Sequence, residues 1–82
     1  MRKTERFLLQ MGDILPSYLP GATGDIVERG VNYDVLIKHD GKEYRFDMEH
    51  KTLQWCTPKQ MKGLVYGMIQ RVCEMMESEN AD

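Results

Sequence analysis

Two residues near the middle of the chain, Asp40-Gly41, constrain its fold most. They separate residues 31–39 from residues 42–49, and in both segments apolar and polar side chains alternate. Asp-Gly between alternating segments predicts a two-residue type I′ turn, because both central positions need positive φ. A turn of fixed length sets the register of the hairpin. His39 then faces Lys42. Counting outward puts Ile37 opposite Tyr44, Val35 opposite Phe46 and Tyr33 opposite Met48, so the large apolar residues share one face. The other face receives Lys38 with Glu43, Leu36 with Arg45, Asp34 with Asp47 and Asn32 with Glu49, and its polarity predicts contact with water.

Helical periodicity flanks this hairpin. Phe7, Leu8, Met11, Ile14 and Leu15 form one stripe, predicting a helix over residues 4–15 with Thr4 as N-cap and Glu5 at its positive end. Pro16 disfavours helical geometry in the residue before it and is expected to end the helix. Residues 17–24 are rich in breakers and read as a loop, with Tyr18 and Leu19 packing down on the core. Residues 25–29 fit a short extra edge strand ended at Gly30. After a corner at His50-Lys51, residues 52–55 read as a third strand of an antiparallel meander, with Leu53 and Trp55 inward. The last element is a long helix over residues 58–77. Thr57 is its N-cap, Pro58 takes the first position and Gln60 completes a capping box. Met61, Leu64, Val65, Met68, Ile69, Val72, Met75 and Met76 make its apolar stripe. Residues 77–82 read as a frayed tail.

The 82 residues support one domain, residues 1–82, of α+β class: helix, three-stranded antiparallel meander, long C-terminal helix. Net charge is -2, without the basic excess usual in a nucleic-acid-binding domain. No stretch approaches the roughly 18 apolar residues of a membrane span. The charged N-terminus leads into no apolar h-region, which predicts a cytoplasmic protein without a signal peptide. Cys56 precedes the last helix and Cys73 lies far along it, roughly 25 Å away at the helical rise, so the two are expected to stay free thiols.

Chemistry-bearing motifs are sparse. His39 and His50 sit at turns, and no spacing matches a zinc site. There is no phosphate-cradling loop or nucleophile elbow, and the sheet carboxylates lie on an open face rather than in a pocket that would shift their pKa. These features predict a protein without catalytic activity, metal or cofactor. Two surfaces remain. On the outer sheet face, Asp34 opposite Asp47 is a like-charge pair that costs stability. With Leu36 beside it, this reads either as an acidic patch for a basic partner or as a cluster neutralised by the diagonal Arg45. On the last helix, Lys59, Lys62, Gly63, Tyr66, Gly67 and Gln70 fall opposite the apolar stripe. Two interior glycines cost about 1 kcal/mol each relative to alanine. They read either as a docking groove or as a place where the first helix or a loop crosses.

The order helix, three antiparallel strands, helix resembles the double-stranded RNA-binding domain. In that family a Ser-Lys-Lys-x-Ala-Lys type motif opens the second helix. Thr57-Pro58-Lys59-Gln60-Met61-Lys62 is similar to it at Thr57, Lys59 and Lys62, with Pro58 in place of one lysine and Met61 in place of the small residue. The resemblance implies phosphate contacts by Lys59 and Lys62. The residues themselves favour a protein-binding module, a regulator or inhibitor of a larger complex such as phages and mobile elements encode. Its contact residues would be Asp34, Leu36, Arg45 and Asp47 on the sheet, and Lys59, Lys62, Tyr66 and Gln70 on the helix. Val72, Met75 and Met76 are expected to project beyond the sheet and offer a homodimer contact.

Overall fold

A computed structural model describes residues 1–80. The elements follow in the order α1 (Lys3–Tyr18), β1 (Thr23–Arg29), β2 (Asn32–His39), β3 (Lys42–Glu49), α2 (His50–Gln54) and α3 (Pro58–Glu79). The strands form one antiparallel meander, β1-β2-β3.

The β2–β3 hairpin has the register the Asp-Gly turn dictates. Ile37 pairs with Tyr44, Val35 with Phe46 and Tyr33 with Met48. Asp40 and Gly41 both take positive φ, 51° and 78°, as a type I′ turn requires. All six apolar residues of these pairs are buried under the helices.

The third strand lies on the other side of the hairpin from where periodicity put it. The segment 25–29 is the edge strand expected there, in a longer form: β1 is an outer strand of the sheet and pairs along its length with β2, from Thr23 opposite Lys38 to Arg29 opposite Asn32. Gly30, at φ 61°, opens a second two-residue turn. The strand reaches back to Thr23, and α1 packs on it at Gly24: a Cβ at Gly24 would strike the Met11 methyl group.

Residues 52–55 are not a strand. The His50 N–H donates to the Val31 carbonyl at 3.0 Å and closes the end of the sheet. The chain must then return to the covered face to begin α3, and the single-turn helix α2 makes that return. Helical geometry sends only Leu53 inward, and Trp55, expected inward, stands in water.

α1 runs a turn further than Pro16 suggests. Proline lacks the N–H that would bond the Gly12 carbonyl, yet the Leu19 N–H still donates to the Leu15 carbonyl at 2.7 Å. That last turn buries Leu19 with Leu15, and the apolar burial outweighs one missing bond. The N-cap is Arg2, without a side-chain cap bond, and Thr4 lies inside the helix. α3 starts as expected: Thr57 Oγ1 accepts from the Gln60 N–H (3.2 Å), and Gln60 Oε1 accepts from the Thr57 N–H (2.9 Å). It stays helical to Glu79, whose carboxylate meets Lys42 Nζ at 2.6 Å. The tail expected from residue 77 is therefore helix through 79, and its last two residues, 81–82, lie outside the described residues.

α1 and α3 lie side by side on one sheet face and run in the same direction. Gln10 Nε2 donates to the Pro58 carbonyl at 3.2 Å, and the rings of Tyr18 and Tyr66 meet edge-to-face at 5.7 Å. Phe7, Met11 and Leu15 from α1 and Met61, Val65, Ile69 and Val72 from α3 close the core over the sheet. Val72 is fully buried and Met76 packs partly on the core, so only Met75 of the expected projecting trio is exposed.

Candidate functional site

The outer face of the sheet carries no helix. Its acidic pair is present in the register, Asp34 opposite Asp47, but the two carboxylates differ. Asp34 sits in the middle strand, only 6% exposed, and forms an ion pair with Arg29 of β1. The expected neutraliser, Arg45, instead lies 3.8 Å from Glu43. Asp34 is thus withdrawn from any acidic patch, because neighbouring strands screen a central-strand side chain from both sides. Leu36, expected exposed, is half-buried between Asp25 and Arg45. Arg45 and Asp47 remain exposed.

On the far side of the molecule, Lys59, Lys62, Tyr66 and Gln70 are exposed along α3. Nothing lies within 4 Å of the position a Cβ would take at Gly63 or Gly67. Neither α1 nor a loop crosses there, so internal packing does not account for these glycines. Gln70 Nε2 donates to Glu74 at 3.4 Å, and Tyr66 leans on Tyr18. The sheet group and the helix group sit on opposite sides of the domain, and the fold does not bring them together. The charges of α3 also run against its dipole. Lys59 and Lys62 stand at the positive N-terminal end, while Glu74, Glu77 and Glu79 stand near the negative C-terminal end. One of these acids has a local use: the Glu79 carboxylate holds the Lys42 ammonium above its ordinary pKa range.

A third surface escaped the sequence reading. At the end of the molecule where β2 begins and β3 finishes, Val31 is 79% exposed and Trp55 is 86% exposed. A shallow open cleft lined by Val31, Asn32, Glu49, His50 and Lys51 lies there. The backbone around Trp55 is anchored although its ring is free. The Trp55 N–H donates to the Lys51 carbonyl at 3.0 Å, Lys3 Nζ donates to the Cys56 carbonyl at 2.6 Å, and Cys56 Sγ donates to the Leu53 carbonyl at 3.1 Å. His50 stacks on Tyr33, ring centroids 5.2 Å apart, and Gln54 Nε2 donates to the Tyr33 hydroxyl at 2.9 Å. The signal for this surface was available in one form only. Reading residues 50–54 as a helix turn, with Leu53 as the one inward residue, places Trp55 on the opposite side.

Among the described residues no group of three or more His, Cys, Asp or Glu side chains could hold a metal ion. No helix there is long and apolar enough to cross a membrane. Compared with known protein families, curated proteins and solved structures, the chain matches none.

Proposed function

We propose that this chain is a small non-enzymatic protein-binding module, acting as a regulator or inhibitor by occupying a surface of its partner, with Trp55 as its anchor. The observation that carries this reading is a tryptophan 86% exposed on an anchored backbone. Folding gains almost nothing from a side chain left in water, whereas covering it with a partner removes a large apolar area from solvent. Tryptophan is also the residue most enriched among binding hot spots, and a fixed backbone lowers the ordering cost of binding. Val31, also exposed, lies in a separate shallow cleft with Asn32, Glu49, His50 and Lys51. The unpaired thiols of Cys56 and Cys73 fit action in the cytoplasm.

Trp55 is the one tryptophan of the chain, so its fluorescence tests the reading directly. The isolated protein should emit like tryptophan in water. Affinity capture from a lysate with wild type and with Trp55→Ser, followed by mass spectrometry, should identify a protein lost with the variant. That protein, once purified, should shift the wild-type emission to the blue. The proposal fails if Trp55→Ser keeps every captured protein and no captured protein moves the emission.

A second reading, nucleic-acid binding through Lys59 and Lys62, is favoured by the placement of these exposed cations at the positive end of α3, where folding gains nothing from them. It predicts retention on RNA or heparin that weakens steeply with salt and is lost in Lys59→Glu/Lys62→Glu.

A further inference from the structure

We infer that the partner anchored by Trp55 presents an acidic protein surface, held by four cations gathered beside the tryptophan: Lys3, Arg6, Lys59 and Lys62. The inference rests on the reading of Trp55 as the anchor and names the chemistry of what covers it.

The fold assembles this group from two helices. α1 and α3 begin at the same end of the domain. Lys3, Arg6 and Gln10 follow at spacings of three and four residues and share one flank of α1. Lys3 Nζ donates to the Cys56 carbonyl at 2.6 Å, and Gln10 Nε2 to the Pro58 carbonyl at 3.2 Å. Arg6, set between them, therefore faces the segment that joins Trp55 to α3. Lys59 follows that segment directly, and Lys62 stands about one turn further on. Arg6, Lys59 and Lys62 are exposed. Glu5, the acid in the first turn of α1, falls on the other flank of that helix.

Folding does not account for the grouping. Among the described residues none of the four makes an ion pair, although the chain has more acids than bases. Arg29, Lys42, Arg45 and Lys51 do have carboxylate partners. Cations near the start of a helix oppose its dipole, and four together repel one another. Uncompensated positive charge around an exposed apolar anchor is complementary to an apolar pocket ringed by carboxylates.

The extent of the patch favours a protein over a nucleic acid. Surfaces that bind a nucleic-acid strand carry cations along successive phosphates and several aromatic platforms. Here the positive charge stops at Lys62. Tyr66, Gln70 and Glu74 follow along the exposed side of α3, and Asp13 along α1. Among the described residues Trp55 is the only large aromatic exposed at this end, since Tyr18 and Tyr66 meet beyond it, where α1 finishes.

Binding of the full chain to a glutamate–tyrosine copolymer at low salt tests the inference, with the copolymer immobilised for surface plasmon resonance and free in solution for Trp55 emission. The wild type should bind, its emission should shift to the blue, and added salt should release it. Lys59→Glu/Lys62→Glu should weaken binding at least about tenfold, and Arg6→Glu about threefold. Glutamate suits the start of a helix, so the double variant should melt no lower than the wild type. Lys38→Glu/Arg71→Glu lowers the net charge equally but away from this end, and should keep binding within about twofold. A wild type that does not bind overturns the inference, as does equal loss in the two double variants. Tighter binding to an oligodeoxythymidine than to the copolymer overturns it in favour of a nucleic acid. A blue shift that follows the chain's own concentration without copolymer overturns it in favour of a second copy. The Trp55 reading fails separately, if Trp55→Ser binds the copolymer as tightly as the wild type while the lysine variant loses it.

Discussion

The two hairpins that share β2 are closed by turns of the same length and different chemistry. Between β2 and β3 the chain uses Asp40-Gly41, both with positive φ, and both residues are small or polar. Between β1 and β2 it uses Gly30-Val31, where only the glycine has positive φ, the pattern of a type II′ turn. Any polar residue would serve at the second position. A valine 79% exposed does not serve the turn, and it stands at the same end of the molecule as Trp55. One turn is written for folding. The other contains a residue that folding does not explain.

The contrast can be broken at several depths. The largest effect should come from the shared strand's better-packed partner. Phe46→Ala in β3 should cost about 3–5 kcal/mol, enough to unfold much of a domain this small. Ile26→Ala in β1, where the side chain is only half-buried, should cost less than half as much. Equal losses in urea denaturation would show that the two hairpins carry the core alike. Next comes the ion pair that ties β1 to β2. Arg29→Ala leaves the Asp34 carboxylate buried opposite Asp47 and should cost about 1–2 kcal/mol, because the arginine is itself mostly exposed. Adding Asp34→Asn should recover most of the loss.

The turns differ at a smaller scale. Gly41→Ala should cost about 1–2 kcal/mol, since an L side chain is strained at its left-handed φ. Val31→Asn should change stability by no more than about 0.5 kcal/mol while weakening partner capture. A larger loss would make Val31 a structural residue after all. The smallest effect concerns Lys42, whose pKa Glu79 raises. Stability from this pair is complete below the ordinary lysine range and disappears as pH rises through the raised value. The Lys42 Cε carbon, followed by NMR, should titrate above the ordinary lysine value, and Glu79→Gln should lower its midpoint.

Local chemistry made much of the fold legible. A turn residue, a capping box and an apolar period each act within a few positions, so the β2–β3 register, the start of α3 and the inward-facing residues could be read directly. The misreadings share a cause in longer range. Pro16 was outvoted by burial of Leu19. The edge strand expected over residues 25–29 begins earlier, at Thr23, where α1 packs on Gly24. Residues 52–55 lost theirs because the chain had to return across the sheet's end. Of the candidate site residues, Lys59, Lys62, Tyr66 and Gln70 stand where helical phase put them. Asp34 does not, because alternation specifies a face but not whether neighbouring strands and Arg29 cover it.

By itself the sequence determined which residues pair across the β2–β3 hairpin and which side of that hairpin and of the two long helices is apolar, since those follow from turn geometry and periodicity alone. Only the tertiary structure decided which surfaces stay open: that Trp55 faces water, that nothing crosses Gly63 and Gly67, and that β3 is left at the edge. Exposure depends on which other element arrives to cover a surface, and no local pattern carries that information.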